Sequence, residues 1–229
     1  MSLETLKTKV GLLIEKAQSG GGDTKDNPLQ YATFADGSLF KKAQFPENYK
    51  IEFGFAVVDN SLAQRSFLSS NITEITITTP LGKFLLSFCQ GCEKLKVVTF
   101  TNGSGILEGN WNSAFSGCKE LETINGEIDF SNVTNLGNIL NSCYKLKDIT
   151  IKPNSLKLSF SIPSPVLSAE SIQSTIGGLN SEVTGQTLTI PRNAAKKAFE
   201  TSEGANDGDT SETWNALVAS KPNWTITLS

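Results

Sequence analysis

Short segments in which one polar residue sits between two apolar ones recur along most of the chain. They are Ile51-Glu52-Phe53, Ile75-Thr76-Ile77, Val98-Thr99-Phe100, Ile149-Thr150-Ile151, Leu188-Thr189-Ile190 and Ile226-Thr227-Leu228. Ile124-Asn125-Gly126 is a degraded member, with glycine in the last apolar place. The middle residues, from Glu52 to Thr227, follow one another at steps of 24, 23, 26, 25, 39 and 38. Apolar-polar-apolar alternation predicts a half-buried strand. A strand this short, returning every 20–29 residues or so, predicts stacked coils of a solenoid.

The two long final steps need extra material, which the sequence supplies as helices. Ser168 stands before a pattern with Ile172, Ile176 and Leu179 on one face, ended by the Gly177-Gly178 break and a loop. Asn193 stands before Ala194–Phe199, and Ser211 before a run through Trp214, Leu217 and Val218 that Pro222 stops. Side-chain oxygens at these positions cap helix N–H groups. The last part of the chain thus reads strand–helix–strand–helix–strand.

At the other end, Leu3, Leu6, Val10, Leu13 and Ala17 form an a/d seam, with Ser2 placed to cap. Two heptads are too short to stand alone in water, so residues 1–18 are expected to dock on their own domain or to oligomerise. The glycine-rich run 19–28 reads as a flexible linker. Residues 29–229 then form the solenoid, with irregular coils over 29–164 and longer α/β coils over 165–229.

Three coils share a longer frame. Phe88-Cys89-Gln-Gly-Cys92-Glu-Lys-Leu95-Lys-Val-Val98 aligns with Ala114-Phe115-Ser-Gly-Cys118-Lys-Glu-Leu121-Glu-Thr-Ile124. Both align with Ile139-Leu140-Asn-Ser-Cys143-Tyr-Lys-Leu146-Lys-Asp-Ile149. This frame resembles the treponemal-type, BspA-like, leucine-rich-repeat family of surface proteins. The ending, from Leu167 through Gln186–Ile190 to Asn223–Ile226, is similar to the tails of leucine-rich-repeat proteins encoded by phages and prophages of gut bacteria. The resemblance implies an irregular leucine-rich-repeat solenoid, α/β at its C-terminus, with noncatalytic recognition or adhesion as its role. A virion tail or a bacterial cell surface is the expected location. The first coils, before about residue 78, depart from the family in lacking the Cys-x-x-Leu frame.

The frame also answers what Cys89-Gln-Gly-Cys92 is. Cys92 shares one place with Cys118 and Cys143, whereas Cys89 shares a different one with Phe115 and Leu140. The C-x-x-C spacing therefore arises from two core positions three apart, and each cysteine is expected to act as a small apolar plug. A zinc site wants a second such pair, and a redox pair wants a βαβ setting; the sequence shows neither.

Composition narrows the chemistry further. The 229 residues contain no histidine, which removes the commonest general base and the mixed Cys/His zinc sites. An enzyme here would rest on Cys89 and Cys92 or on carboxylates. Net charge is −3 and no basic stripe is present, so nucleic acid is not an expected partner. No apolar run approaches a membrane span, and no basic segment followed by an apolar one marks a leader. Gly103-Ser-Gly105-Ile-Leu-Glu-Gly109 is one residue too long for a dinucleotide fingerprint and reads as a turn between coils. Asp207, Asp209 and Glu212 lie close in sequence without the rest of a calcium loop, and no metal or cofactor is expected.

Where the flanking apolar residues point inward, the middle one points out. The expected outward column is Glu52, Thr76, Thr99, Asn125, Thr150, Thr189 and Thr227. With rungs about 4.8 Å apart it forms a polar face about 30 Å long, the usual binding surface of a solenoid. Threonine there is also simply a good strand former. Trp111, between Asn110 and Asn112, is the candidate exposed aromatic, with burial against the next coil as the alternative. The expected ligand is a protein or glycan surface. The alternative is a purely structural assembly component, oligomeric through residues 3–18.

Overall fold

The computed structural model describes residues 67–78, 85–199 and 212–229, together with the backbone of Lys50–Phe53. The expected helix over 1–18, the linker 19–28, Ser211 and the Asp207–Asp209 loop lie outside the described residues. The strands are β1 (Lys50–Phe53), β2 (Glu74–Ile77), β3 (Val97–Phe100), β4 (Ile106–Asn110), β5 (Thr123–Asn135), β6 (Asp148–Ile151), β7 (Phe160–Ser161), β8 (Gln186–Ile190) and β9 (Trp224–Leu228). The helices are α1 (Ala169–Gly178), α2 (Arg192–Phe199) and α3 (Glu212–Ala219). The fold is a β-solenoid, and all pairings among these strands are parallel.

The chain winds past two strand faces, where the sequence pattern predicts one strand per coil. β1, β2, β3, the first part of β5 and β6 pair in that order to make the first face. From Asp129 onward β5 turns the corner and pairs with β4 instead. β7, β8 and β9 form a second sheet. β7 lies beside the second half of β5, with the rings of Phe130 and Phe160 5.7 Å apart and Lys157 donating to the Ser131 carbonyl. The Gly103–Gly109 stretch is therefore only half a turn; its second half is β4.

Inside, Ile75, Val98, Ile124 and Ile149 stack in register, all buried. Each coil adds a rung to a continuous core, as solenoids require. Between the two faces the space left among Phe100, Leu107, Phe115 and Phe130 is only about 10 Å³. The third side is made of tight turns that pair as strands do. The N–H groups of Leu85, Ser87, Cys89 and Gly91 donate to the carbonyls of Asn110, Asn112, Ala114 and Ser116 one coil on. Trp111, Ser113, Phe115 and Gly117 repeat this toward Asn135, Gly137, Ile139 and Asn141.

Coil lengths can be read from one backbone ladder. The N–H groups of Lys96, Glu122, Lys147 and Ser168 donate to the carbonyls of Thr73, Lys96, Glu122 and Lys147, so successive coils take 23, 26, 25 and 21 residues. After the last of these, α1 replaces the strand. Ser168 caps it, accepting from the Ser171 N–H at 3.2 Å. The free edge of β6 is satisfied by helix hydroxyls: the Ile149 and Ile151 N–H groups donate to Ser171 Oγ and Ser174 Oγ at 2.9 and 2.8 Å.

Gly177 and Gly178 are not the expected break but the last turn of α1. A Cβ on Gly178 would sit 2.5 Å from the Ile151 side chain, so glycine is what lets the helix lie on the sheet. α2 begins at Arg192, a residue before the expected cap, because the Pro191 carbonyl already accepts from Ala194 and Ala195. α3 ends at Ala219, ahead of Pro222.

Candidate functional site

The cysteines do their chemistry inside the stack. Cys89, Cys92, Cys118 and Cys143 are free thiols with no exposed surface. The three in the shared place each donate S–H to a carbonyl one coil back: Cys92 to Phe67 at 2.9 Å, Cys118 to Cys89 and Cys143 to Phe115 at 3.2 Å. Burial holds the Cys89 and Cys118 thiols well above their ordinary range and pushes Cys143 up to about 12. Thiolate is the form that attacks and ligates, and burial suppresses it at Cys89, Cys118 and Cys143. At Cys92 burial also pushes the pKa up, but hydrogen bonds from Cys89 and Ser70 outweigh it and hold the thiol below its ordinary value. Among the described residues no group of three His, Cys, Asp or Glu side chains is placed to hold a metal ion.

Serine extends the cysteine column at both ends. Ser70 Oγ lies 3.4 Å from Cys92 Sγ. Ser164 stands four residues before Ser168, as Cys143 stands four before Lys147, and it is fully buried with Oγ donating to the Tyr144 carbonyl at 3.0 Å. The repeat frame of the sequence omits these serines, because they keep the donor and lose the sulfur.

The outward column is two rows rather than one. On the first face Glu52 pairs with Thr76, Thr76 with Thr99, and Thr99 with Asn125. Asn125 Nδ2 donates to Thr99 Oγ1 at 3.2 Å. Thr150, however, pairs with Glu127, because Asn125 and Gly126 form a bulge in β5. Gly126 has φ +91°, and a Cβ there would meet the Phe100 carbonyl oxygen at 2.4 Å. Glu127 is thus a face residue that strand alternation misses; the glycine in the third apolar place is its only signal. Thr189 and Thr227 belong to the second face, where Ser161 pairs with Thr189 and Thr189 with Thr227. Their hydroxyls are 3.1 Å apart.

Trp111 is not an exposed aromatic. It is completely buried, its Nε1 donates to the Glu108 carbonyl at 3.1 Å, and its ring packs 6.3 Å from that of Phe115. The Asn110 carboxamide accepts from the Asn112 N–H, which turns the chain so that the ring enters the core. Among the described residues Tyr144 is the large aromatic that faces solvent, at 55% exposure.

Charge on the coils alternates in sign from one rung to the next. Glu93 pairs with Lys119 at 2.7 Å, and Glu120 with Lys145 at 2.6 Å, each across one coil. Lys152 reaches Asp129 at 2.7 Å. Partial burial pushes the Asp129 carboxyl up, but hydrogen bonds from Lys152 and Ser131 outweigh it and hold the pKa below the usual range. Such pairs neutralise each other along the stack and leave no single-sign stripe there. Among the described residues no helix is long and apolar enough to cross a membrane.

Comparison with protein-family models, curated proteins and solved structures finds no match to this chain.

Proposed function

We propose that this solenoid is a noncatalytic recognition module, an irregular leucine-rich-repeat domain of the BspA-like kind, carried by a phage or prophage tail or by a bacterial surface protein. Its ligand is a protein or glycan surface. The observation that carries the reading is the outward row on the first face: half-exposed Thr76 and Thr99, then exposed Asn125, Glu127 and Thr150, all riding on a core with almost no free space. A rigid backbone with a row of small hydrogen-bonding side chains costs little entropy when a ligand settles on it.

The test is Thr99→Ala, Asn125→Ala and Thr150→Ala combined, assayed for capture on bacterial cells and glycan surfaces. Capture is expected to fall about tenfold or more, equivalent to about 1.4 kcal/mol, with the melting temperature unchanged. Unchanged capture would remove this face as the site. A protein that captures nothing, yet forms oligomers that vanish when residues 1–18 are deleted, would be an assembly component instead.

A further inference from the structure

The short coil leaves a gap in the wall. In the two preceding turns, alternate N–H groups donate to the coil that follows. The equivalent donors in the next turn are Leu136, Asn138, Leu140 and Ser142, and none of these N–H groups finds an acceptor among the described residues. The coil that should supply one takes 21 residues where its predecessors take 26 and 25, and it passes Pro163. The result is a surface pocket of about 270 Å³ between this turn and β7–β8, at the break between the two sheets.

Its lining is of two kinds. Leu136, Ile139 and Phe160, each at most 5% exposed, make an apolar floor. Around it stand Asn138, Asn141, Ser161 and Thr187, whose side-chain polar atoms have no partner among the described residues. Neighbouring hydroxyls are already engaged: Ser159 donates to Gln186 at 2.9 Å, and Thr189 is bonded to Thr227. Among the described residues no charged side chain lines the pocket.

We infer that this pocket binds one ring of a neutral saccharide. Hydroxyls and carboxamides both donate and accept, as the hydroxyls of a sugar do. The apolar floor suits the C–H face of a pyranose, and a lining without charge gives no purchase to an anionic ligand. Few convergent polar groups over an apolar base, in a concavity of a few hundred Å³, is the general form of a small-ligand site. The inference rests on the recognition reading above and adds to the row on the first face a separate, glycan-binding pocket beside the second.

The experiment is saturation-transfer NMR of the full chain with maltotriose and chitotriose as neutral probes and sialyllactose as the acidic one. Either neutral trisaccharide should receive saturation and titrate, with affinity weakened about tenfold in the combined Asn141→Ala, Ser161→Ala, Thr187→Val variant. Thr187→Val alone is isosteric, removes only a hydroxyl, and should weaken binding by a smaller factor while near-UV circular dichroism stays the same. Binding that survives the combined variant, or a preference for the acidic probe, would overturn the pocket assignment. If no saccharide binds but cells are captured through Thr99, Asn125 and Thr150, the module stands and this inference alone falls.

Discussion

The coils through Cys92, Cys118 and Cys143 and the coils after Asp148 solve the same problem with different parts. In the first region every layer is filled by a thiol, turns stack N–H on carbonyl, and ion pairs alternate between rungs. In the second region a helix stands in for a strand. Ser171 and Ser174 hydroxyls accept what strand carbonyls accepted elsewhere, and Lys221 Nζ donates to the Gly177 and Leu179 carbonyls at the end of α1. The difference teaches where a solenoid can vary. Uniform coils keep nearly the same residue count, 26 and 25, and the same plug. A coil that ends the first sheet may be shorter, and it opens a pocket by being so.

The largest expected effect breaks the uniform region at its centre. Trp111→Ala removes a fully buried indole and should cost about 3–5 kcal/mol, read from urea unfolding monitored by circular dichroism. Gly126→Val places a side chain against the Phe100 carbonyl in a left-handed conformation, and should cost about 1–3 kcal/mol. Unchanged stability in either variant would mean that the coils tolerate a defect in their middle.

Next comes the column itself. Cys118→Ala removes one of the two donors to the Cys89 carbonyl, which keeps the Cys92 N–H, and leaves a void where the sulfur was, so it should destabilise by about 1–2 kcal/mol. Ser164→Ala, at the terminal place of the same column, should cost less because only one coil rests on it. Equal losses would erase the distinction between the two regions.

Alkaline pH probes the same thiols without mutation. The folded-state pKa of Cys143 is about 12, raised by burial above the ordinary thiol value of 9.0. A raised pKa means the contribution is intact below the unfolded value and is lost as pH climbs toward the folded one. Stability should therefore fall between about pH 9 and 12, and Cys143→Ser should flatten that slope. The smallest effect belongs to the exposed pair: Glu120→Gln should move stability by no more than about 0.5 kcal/mol, an effect that salt erases. A larger loss would mean that charge alternation helps to hold coil register.

Much of this architecture is legible in the order of residues. Val98, Ile124 and Ile149 announce a shared inner row because every coil must bury an apolar residue at the same height. Cys89 and Cys92 can be assigned to separate core positions of one coil because Phe115 and Leu140 align with the first, and Cys118 and Cys143 with the second. Other features leave no periodic trace. β4 escapes because Ile106-Leu107-Glu108 follows glycines and reads as a turn. Glu127 escapes because a bulge resets alternation by two residues. The serines of α1 look like an ordinary polar helix face, since nothing local shows that two of them meet a strand edge.

The chain alone determined the repeat, its inner rows and the fate of its cysteines, for these follow from spacing and from the need to hide apolar groups. The folded molecule decided which face each threonine occupies, that Trp111 turns inward, and that a pocket opens beside Asn138. The reason is closure. Whether one coil covers the next depends on the difference between their lengths and on where each turns its corners, and neither is a property of any single coil.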